Sequence, residues 1–187
     1  MNKQEIINKL IEGNKRYISD KESVDGSSKL RKQLKNGQNP YAIILSCADS
    51  RVVPELIFDS NIGDLFVIRV AGNIANTCSI ASIEYAVAHI GCKVIVVLGH
   101  ESCGAVTAAV KGGDNGSNLN KLCSFISPAI EKAKSNNIAD VVKMNAKING
   151  EALISSSEII SKAVDENKLN VISAYYNLEK GNVEFDV

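Results

Sequence analysis

The stretch Ser46-Cys47-Ala48-Asp49-Ser50-Arg51 decides how the rest of the chain is interpreted. It follows an apolar run at residues 41–45, which is typical of a buried strand, and Pro54 soon interrupts the strand pattern. A thiol, a carboxylate and a guanidinium therefore lie where a strand runs out into a loop. Open α/β sheets place their functional groups at such strand ends.

A second stretch has the same layout, Gly99-His100-Glu101-Ser102-Cys103-Gly104, and it follows an apolar run at residues 94–98. If the two strands are parallel neighbours, Cys47, His100 and Cys103 converge on one point. Zinc favours Cys and His ligands in tetrahedral sites, and three protein ligands leave one position open, as catalytic sites do. The pattern therefore predicts a metal site, although an isolated His-x-x-Cys pair is a weak signal.

Two residue types that are rare in this chain strengthen the prediction. Arg51 is one of four arginines and lies two residues from Asp49. An Asp–Arg pair can be bidentate and so fix the orientation of the carboxylate, although an exposed salt bridge is the simpler interpretation. Of the two histidines, His89 lies in a predicted helix and is interpreted as a core or surface residue.

The cysteines outside the two stretches are interpreted as small buried hydrophobes: Cys78, Cys92 and Cys123.

Length and composition favour one globular domain spanning residues 1–187. The chain has 21 basic and 21 acidic residues, so bulk charge supports neither a nucleic-acid nor a membrane partner. The N-terminus lacks the continuous apolar core of a signal peptide, so we expect a cytoplasmic protein with reduced thiols. No glycine pattern matches a P-loop or a dinucleotide fingerprint.

Hydrophobic periodicity predicts an α/β fold: a mostly parallel central β-sheet flanked by helices, with an antiparallel edge strand near the C-terminus and an N-terminal helical arm. The arm covers residues 1–36. The predicted strands cover residues 41–45, 65–70, 93–98, 169–176 and 183–187. The predicted helices cover residues 3–19, 30–34, 79–90, 104–110, 119–134 and 138–164, with a helical turn at 54–58.

The two motif stretches together resemble the β-class carbonic anhydrase family, whose signatures are Cys-x-Asp-x-Arg and His-x-x-Cys. Segments at residues 63–73 and 82–87 are similar to family segments in the same order. The closing Tyr-x-Leu-x-x-Gly-x-Val-x-Phe pattern at residues 176–185 is similar as well. The likeness is strong over residues 30–110 and weakly informative over 111–168. Ala48 replaces the serine that is common in the family at that place.

The resemblance implies roles for individual residues. Cys47, His100 and Cys103 match the zinc ligands, and Asp49 and Arg51 match the catalytic dyad, with Asp49 a fourth ligand only in a closed state. The absence of Trp leaves the effector site of the closed-state subgroup without a counterpart, so we expect the open state. The matches to substrate-binding positions are Gln38, Phe66, Tyr85 and Gly104.

The resemblance also implies an activity and an assembly. The expected enzyme is a carbonic anhydrase (carbonate dehydratase, a zinc lyase). It would hydrate CO2 reversibly to bicarbonate and a proton by attack of a hydroxide that is bound to Zn2+. The family forms homodimers or homotetramers in which the N-terminal arm packs on a partner subunit. Two alternatives stay open at this point: a hydrolase of carbonyl sulfide or carbon disulfide with the same site, and a non-catalytic zinc or thiol module.

Overall fold

A computed structural model describes residues 1–135 and 137–186. Five strands form one sheet in the order β2-β1-β3-β4-β5. The strands β1 to β4 pair in parallel, and β5 is antiparallel to β4. The strands are β1 (Ala42–Ser46), β2 (Leu65–Arg69), β3 (Val94–His100), β4 (Asn170–Tyr176) and β5 (Val183–Asp186). The predicted α/β fold with an antiparallel C-terminal edge is confirmed, and Val187 of the predicted edge strand lies outside the described residues.

Helices cover both faces of the sheet. They are α1 (Lys3–Ile18), α2 (Ser28–Gln33), α3 (Pro54–Ile57), α4 (Thr77–Tyr85), α5 (Gly104–Lys111), α6 (Ser117–Ala133), α7 (Ile138–Ser155) and α8 (Glu158–Asp165). Short 3-10 turns follow α2 and β2, and a π-helical turn, Ala86–Ile90, extends α4. Among the described residues, no helix has both the length and the apolar character needed to cross a bilayer.

Alternating side chains of the central strands feed two separate cores, because successive residues of a strand point to opposite faces. Ala42 and Ile44 of β1 pack with α1 and α3, whereas Ile43 and Leu45 pack with α4, α7 and α8. Both faces of β1 are therefore buried, as its unbroken apolar run predicts. The helix α1 contributes Ile6, Ile7 and Leu10 to the core of its own chain.

The single helix predicted for residues 138–164 is wrong, because the chain leaves the helix after α7 and starts α8 afresh. Ser157 caps α8, and its Oγ accepts a hydrogen bond from the Ile160 N–H at 3.2 Å. The same hydroxyl donates to Glu84 Oε1 at 2.6 Å, which ties the break to α4. Serine occurs both at helix caps and inside helices, so Ser157 gave no clear signal of a break. Because the apolar pattern continues on both sides of it, the sequence predicted one helix.

The carboxyl ends of β1, β2 and β3 lie at one edge of the sheet because these strands are parallel. A third core cluster lies at this edge and is formed largely by α5, α6 and α7. Cys47 and Cys103 belong to it, with Val106, Ile126 and Val142 among their neighbours. The two sequence stretches that carry the reactive side chains therefore meet at this edge, under a cover of helices.

Candidate active site

Strand pairing brings the two motif stretches together. Ser46 of β1 is in register with Leu98 of β3, so Cys47 follows directly after β1 at the level of the last residues of β3. His100 is the last residue of β3, and Cys103 is the N-cap residue of α5. The possible ligand atoms of Cys47, His100 and Cys103 all lie within 4.8 Å of one another, and all three residues are buried.

The His100 ring is oriented so that one nitrogen is free for a metal. Its Nδ1 lies 2.8 Å from the carbonyl oxygen of Glu101, which can only accept, so Nδ1 carries the proton. Its Nε2 is buried and has no hydrogen-bond partner in the described part of the chain. A buried nitrogen lone pair beside two thiols is the donor set that zinc prefers, so these residues fit a zinc ion.

The thiols of Cys47 and Cys103 shift each other's pKa in opposite directions. A hydrogen bond from the Cys103 thiol is the largest cause that lowers the pKa of Cys47, and the Gly72 N–H, 3.3 Å from Cys47 Sγ, adds to it. The same contact with Cys47, followed by burial, raises the pKa of Cys103. Cys47 is therefore the first of the two to ionise, and a cation at this point would favour two thiolates.

Asp49 and Arg51 form the bidentate pair that the sequence suggested. Arg51 Nε donates to Asp49 Oδ1 at 2.9 Å and Arg51 Nη2 donates to Oδ2 at 2.8 Å, while the Arg51 N–H bonds Oδ1 at 3.0 Å. The Arg51 side chain holds the pKa of the Asp49 carboxyl well below its usual range. Asp49 Oδ2 lies 3.9 Å from His100 Nε2, so an ionised carboxylate faces the metal-binding cluster while it stays paired with Arg51.

Three residues that the sequence analysis did not single out hold the site in place. Arg69 donates to the carbonyl oxygens of Cys47 at 3.1 Å and of Asp49 at 2.6 Å. Gly72 supplies the N–H that bonds Cys47. The Glu101 carboxylate accepts from the backbone N–H groups of Leu178 at 2.9 Å and Glu179 at 3.2 Å, which anchors the His100 loop on the β4–β5 hairpin. The rarity of arginine was the available signal for Arg69.

The residues matched to substrate-binding positions are not all brought to this cluster within the chain. Gly104 begins α5 beside Cys103, and a Cβ added there would meet nothing within 4 Å. Phe66 and Tyr85 lie together, with ring centroids 6.4 Å apart. Phe66 is in register with Ile43 of β1. Ile43 precedes Cys47 by four residues, a separation of roughly 13 Å along the strand. Gln38 is exposed in the loop that precedes β1, at the opposite end of that strand.

The remaining histidine and cysteines lie away from the cluster. His89 is exposed, and its ring lies 5.3 Å from that of Tyr85. The prediction that the other cysteines are buried is correct for Cys92 and wrong for the rest. Cys78 is exposed because it lies on the outward side of the first turn of α4, and Cys123 is only half-buried on α6.

Comparison with known proteins agrees with this geometry. A family model described as carbonic anhydrase matches residues 42–183. Carbonic anhydrase 2 of Mycobacterium tuberculosis is 34% identical over 184 residues, covering 92% of this chain and 87% of the relative. The structure of the β-carbonic anhydrase CcaA is 28% identical with a TM-score of 0.75, covering 96% of this chain and 94% of the other.

A solved chain from the filamentous ascomycete Sordaria macrospora, one of two tetrameric β-carbonic anhydrases, is 28% identical with a TM-score of 0.73. The similarity covers 83% of this chain and 85% of that chain. These likenesses span the sheet, its helices and both motif stretches. The chain therefore belongs to the β-carbonic anhydrase family.

Proposed function

We propose that this protein catalyses the reversible hydration of CO2 at a zinc ion held by Cys47, His100 and Cys103. The observation that carries the proposal is the buried cluster of two sulfurs and one unpartnered imidazole nitrogen, with an ionised carboxylate beside it. Named relatives at 34% identity over most of the chain support the same reaction. When bound, zinc supplies a nucleophile at neutral pH, because it lowers the pKa of water from about 15.7 to about 7.

The dyad would orient the reacting water. Ionised Asp49 can only accept hydrogen bonds, and its bidentate contact with Arg51 leaves its position fixed. A water or bicarbonate between Asp49 and the cluster would donate a hydrogen bond to Oδ2 and so be held in one orientation. Preorganisation of this kind removes the entropy cost of alignment at the moment of reaction. The backbone N–H of Gly104, an exposed residue at the start of α5, is the proposed contact for an oxygen of bicarbonate.

The CO2 pocket is proposed to be completed by a second copy of the chain. Within one chain, Gln38 lies at the opposite end of β1 from the metal ligands. Phe66, with Tyr85 beside it, is paired four residues before Cys47. If they shape the pocket, they do so for a neighbouring subunit, which makes a homodimer the minimal active unit and a homotetramer compatible with it. The arm at residues 1–36, whose helix α1 packs on its own chain, would also contact that neighbour.

We place this single-domain protein in the cytoplasm. The proposed metal ligands Cys47 and Cys103 have to stay reduced, which a reducing compartment favours. The two alternatives suggested by the sequence are not favoured. A non-catalytic zinc or thiol module has no need of the Asp49–Arg51 pair, and the named relatives are carbonic anhydrases and not hydrolases of sulfur substrates.

The test is stopped-flow CO2 hydration on metal-quantified protein. We expect the rate to follow the zinc content, and Cys103→Ala to lose both zinc and activity. Asp49→Ala should keep zinc but lose about 10²-fold or more in kcat/KM, because the reacting water is no longer oriented. Asp114→Ala, made at an exposed position between α5 and α6, is the control and should behave like the unaltered protein. Fully zinc-loaded protein that hydrates no CO2 between neutral and alkaline pH would refute the proposal.

A further inference from the structure

Helix α7 carries two buried amides one turn apart. Asn145 is 0% exposed and Asn149 is 3% exposed. Asn149 Nδ2 donates to the Asn145 backbone oxygen at 2.8 Å and to Asn145 Oδ1 at 2.9 Å, and Asn149 Oδ1 accepts from the Ala75 N–H at 2.6 Å. Asn149 therefore fixes which way the Asn145 amide faces and leaves its Nδ2 as the donor for a third group.

That third group lies next to the metal cluster. Asn145 Nδ2 donates to the carbonyl oxygen of Gly72 at 2.8 Å. The N–H on the other side of the Gly72 Cα donates to Cys47 Sγ at 3.3 Å. Two hydrogen bonds thus connect the α7 amide to a predicted metal ligand through one residue of backbone.

Gly72 is a position at which such a restraint matters. Its φ is +72°, a conformation that residues with a side chain seldom adopt. A Cβ there would also lie 3.0 Å from Ile126 Cδ1 and 3.3 Å from Ala105 Cβ. Glycine is therefore required, and because glycine is the most flexible residue, the direction of its N–H has to be fixed by its neighbours.

Helix α7 is itself held at a set distance from the strand that carries His100. A Cβ added to Gly99, the residue before His100, would come within 2.7 Å of Val142 Cγ1 and 3.2 Å of the Val142 oxygen. This close approach fixes α7 against the end of β3. The helix that contacts Gly72 through Asn145 is therefore also packed directly against the strand that carries His100.

We propose that Asn145 is a positioning residue of the metal centre: it holds Gly72 so that the Gly72 N–H bonds the sulfur of Cys47. This inference rests on the proposed function in one respect, that Cys47 is a metal ligand. An N–H bond to a thiolate withdraws charge from the sulfur and restricts its orientation, which are the two ways in which outer contacts tune a metal site. Asn149 acts one step further out, by orienting Asn145.

The first experiment uses the unaltered protein loaded with 113Cd2+. A hydrogen bond to a cadmium-bound sulfur transmits scalar coupling from the metal to the amide proton, so the Gly72 resonance should be split by cadmium. Protein that binds cadmium without coupling at Gly72 would overturn the inference and leave the proposed function intact. Protein that binds neither cadmium nor zinc would overturn the proposed function instead.

The second experiment compares Asn145→Leu with Leu153→Ala. Leucine has the same branched four-atom side-chain skeleton as asparagine but cannot bond Gly72. Leu153 is a fully buried residue of the same helix that packs in a different cluster. We expect Asn145→Leu to shift the sulfur-to-metal charge-transfer band of the Co2+-loaded protein, to abolish the Gly72 coupling and to release zinc about tenfold faster to a chelator. Leu153→Ala should lower the melting temperature without these changes. If both variants change the band equally, or Asn145→Leu leaves it unchanged, Asn145 has only a structural role.

Discussion

Arg69 ties the end of β2 to the loop that carries Cys47 and Asp49. Its guanidinium donates to the carbonyl oxygens of both residues, at 3.1 Å and 2.6 Å, and so bridges a metal ligand and the dyad. The rigid fork of an arginine suits two acceptors at a fixed separation, whereas a lysine offers a single point charge on a flexible stem. Arg69 is exposed, so its effect on global stability is expected to be small.

Arg69→Lys should therefore impair the site more than the fold. We expect about a tenfold loss in kcat/KM and faster zinc release, because the loop at residues 47–49 is held less firmly. The melting temperature should change little. Arg31→Lys, at an exposed position on α2, is the matched control. A variant with unaltered kinetics and zinc release would show that the loop keeps its shape without this bridge.

At the scale of elements, sequence patterns predicted the strands well because each is an apolar run bounded by turn residues. They also located the metal ligands, since parallel strands bring their carboxyl ends to one edge of the sheet. The supporting contacts could not be predicted. Asn145 bonds a backbone carbonyl 73 residues away, and Arg69 bonds carbonyls of another strand end, so their partners carry no side-chain signature. The break between α7 and α8 was missed because Ser157 fits either state.

At the scale of elements, the ion pair that joins α1 to the loop after α3 makes the free energy of unfolding depend on pH. The Asp59 side chain is 1% exposed, accepts a hydrogen bond from Arg16 Nε, and accepts another from the Ser23 N–H at 2.6 Å. Burial alone would raise the pKa of Asp59, but the bonds from Arg16 and Ser23 outweigh it and hold the pKa below its usual value. The carboxylate is thus favoured in the folded state.

A depressed folded-state pKa stabilises the protein above the unfolded pKa of about 3.9, and this stabilisation is lost as the pH falls through the folded value. Asp59→Asn should lower the free energy of unfolding by about 1–2 kcal/mol at neutral pH and less at acid pH, so its unfolding curve should be less acid-sensitive. Asparagine tolerates the φ of +43° at this position. Urea unfolding between about pH 2 and pH 7 measures the effect. Glu12→Gln, on the exposed side of α1, is the control, and an equal loss at every pH would contradict the assignment.

At the scale of the whole molecule, the sheet separates the residues that the family resemblance groups together. The metal ligands and the dyad lie at the carboxyl edge of β1 and β3, whereas Gln38 precedes β1 and Phe66 is paired with Ile43. Tyr85 is 52% exposed, an unusual state for an aromatic ring beside a second aromatic ring. Both facts are explained if this aromatic pair faces the metal cluster of another subunit. A single chain would then hold two half-sites and no complete one.

Mixing two inactive variants tests this arrangement. Cys103→Ala removes the metal cluster and keeps the pocket residues, whereas the double variant Gln38→Ala and Tyr85→Ala keeps the cluster and alters only exposed side chains. When equal amounts of the two variants are mixed and their subunits exchange at random, half of the metal clusters are intact. Half of these intact clusters then face an intact pocket on the neighbouring subunit. About a quarter of the unaltered hydration activity should return, whether dimers remain dimers or assemble further. Cys103→Ala mixed with a triple variant that carries all three changes is the control and should stay inactive. If exchange is demonstrated with differently tagged chains and no activity returns, the pocket is not shared between subunits.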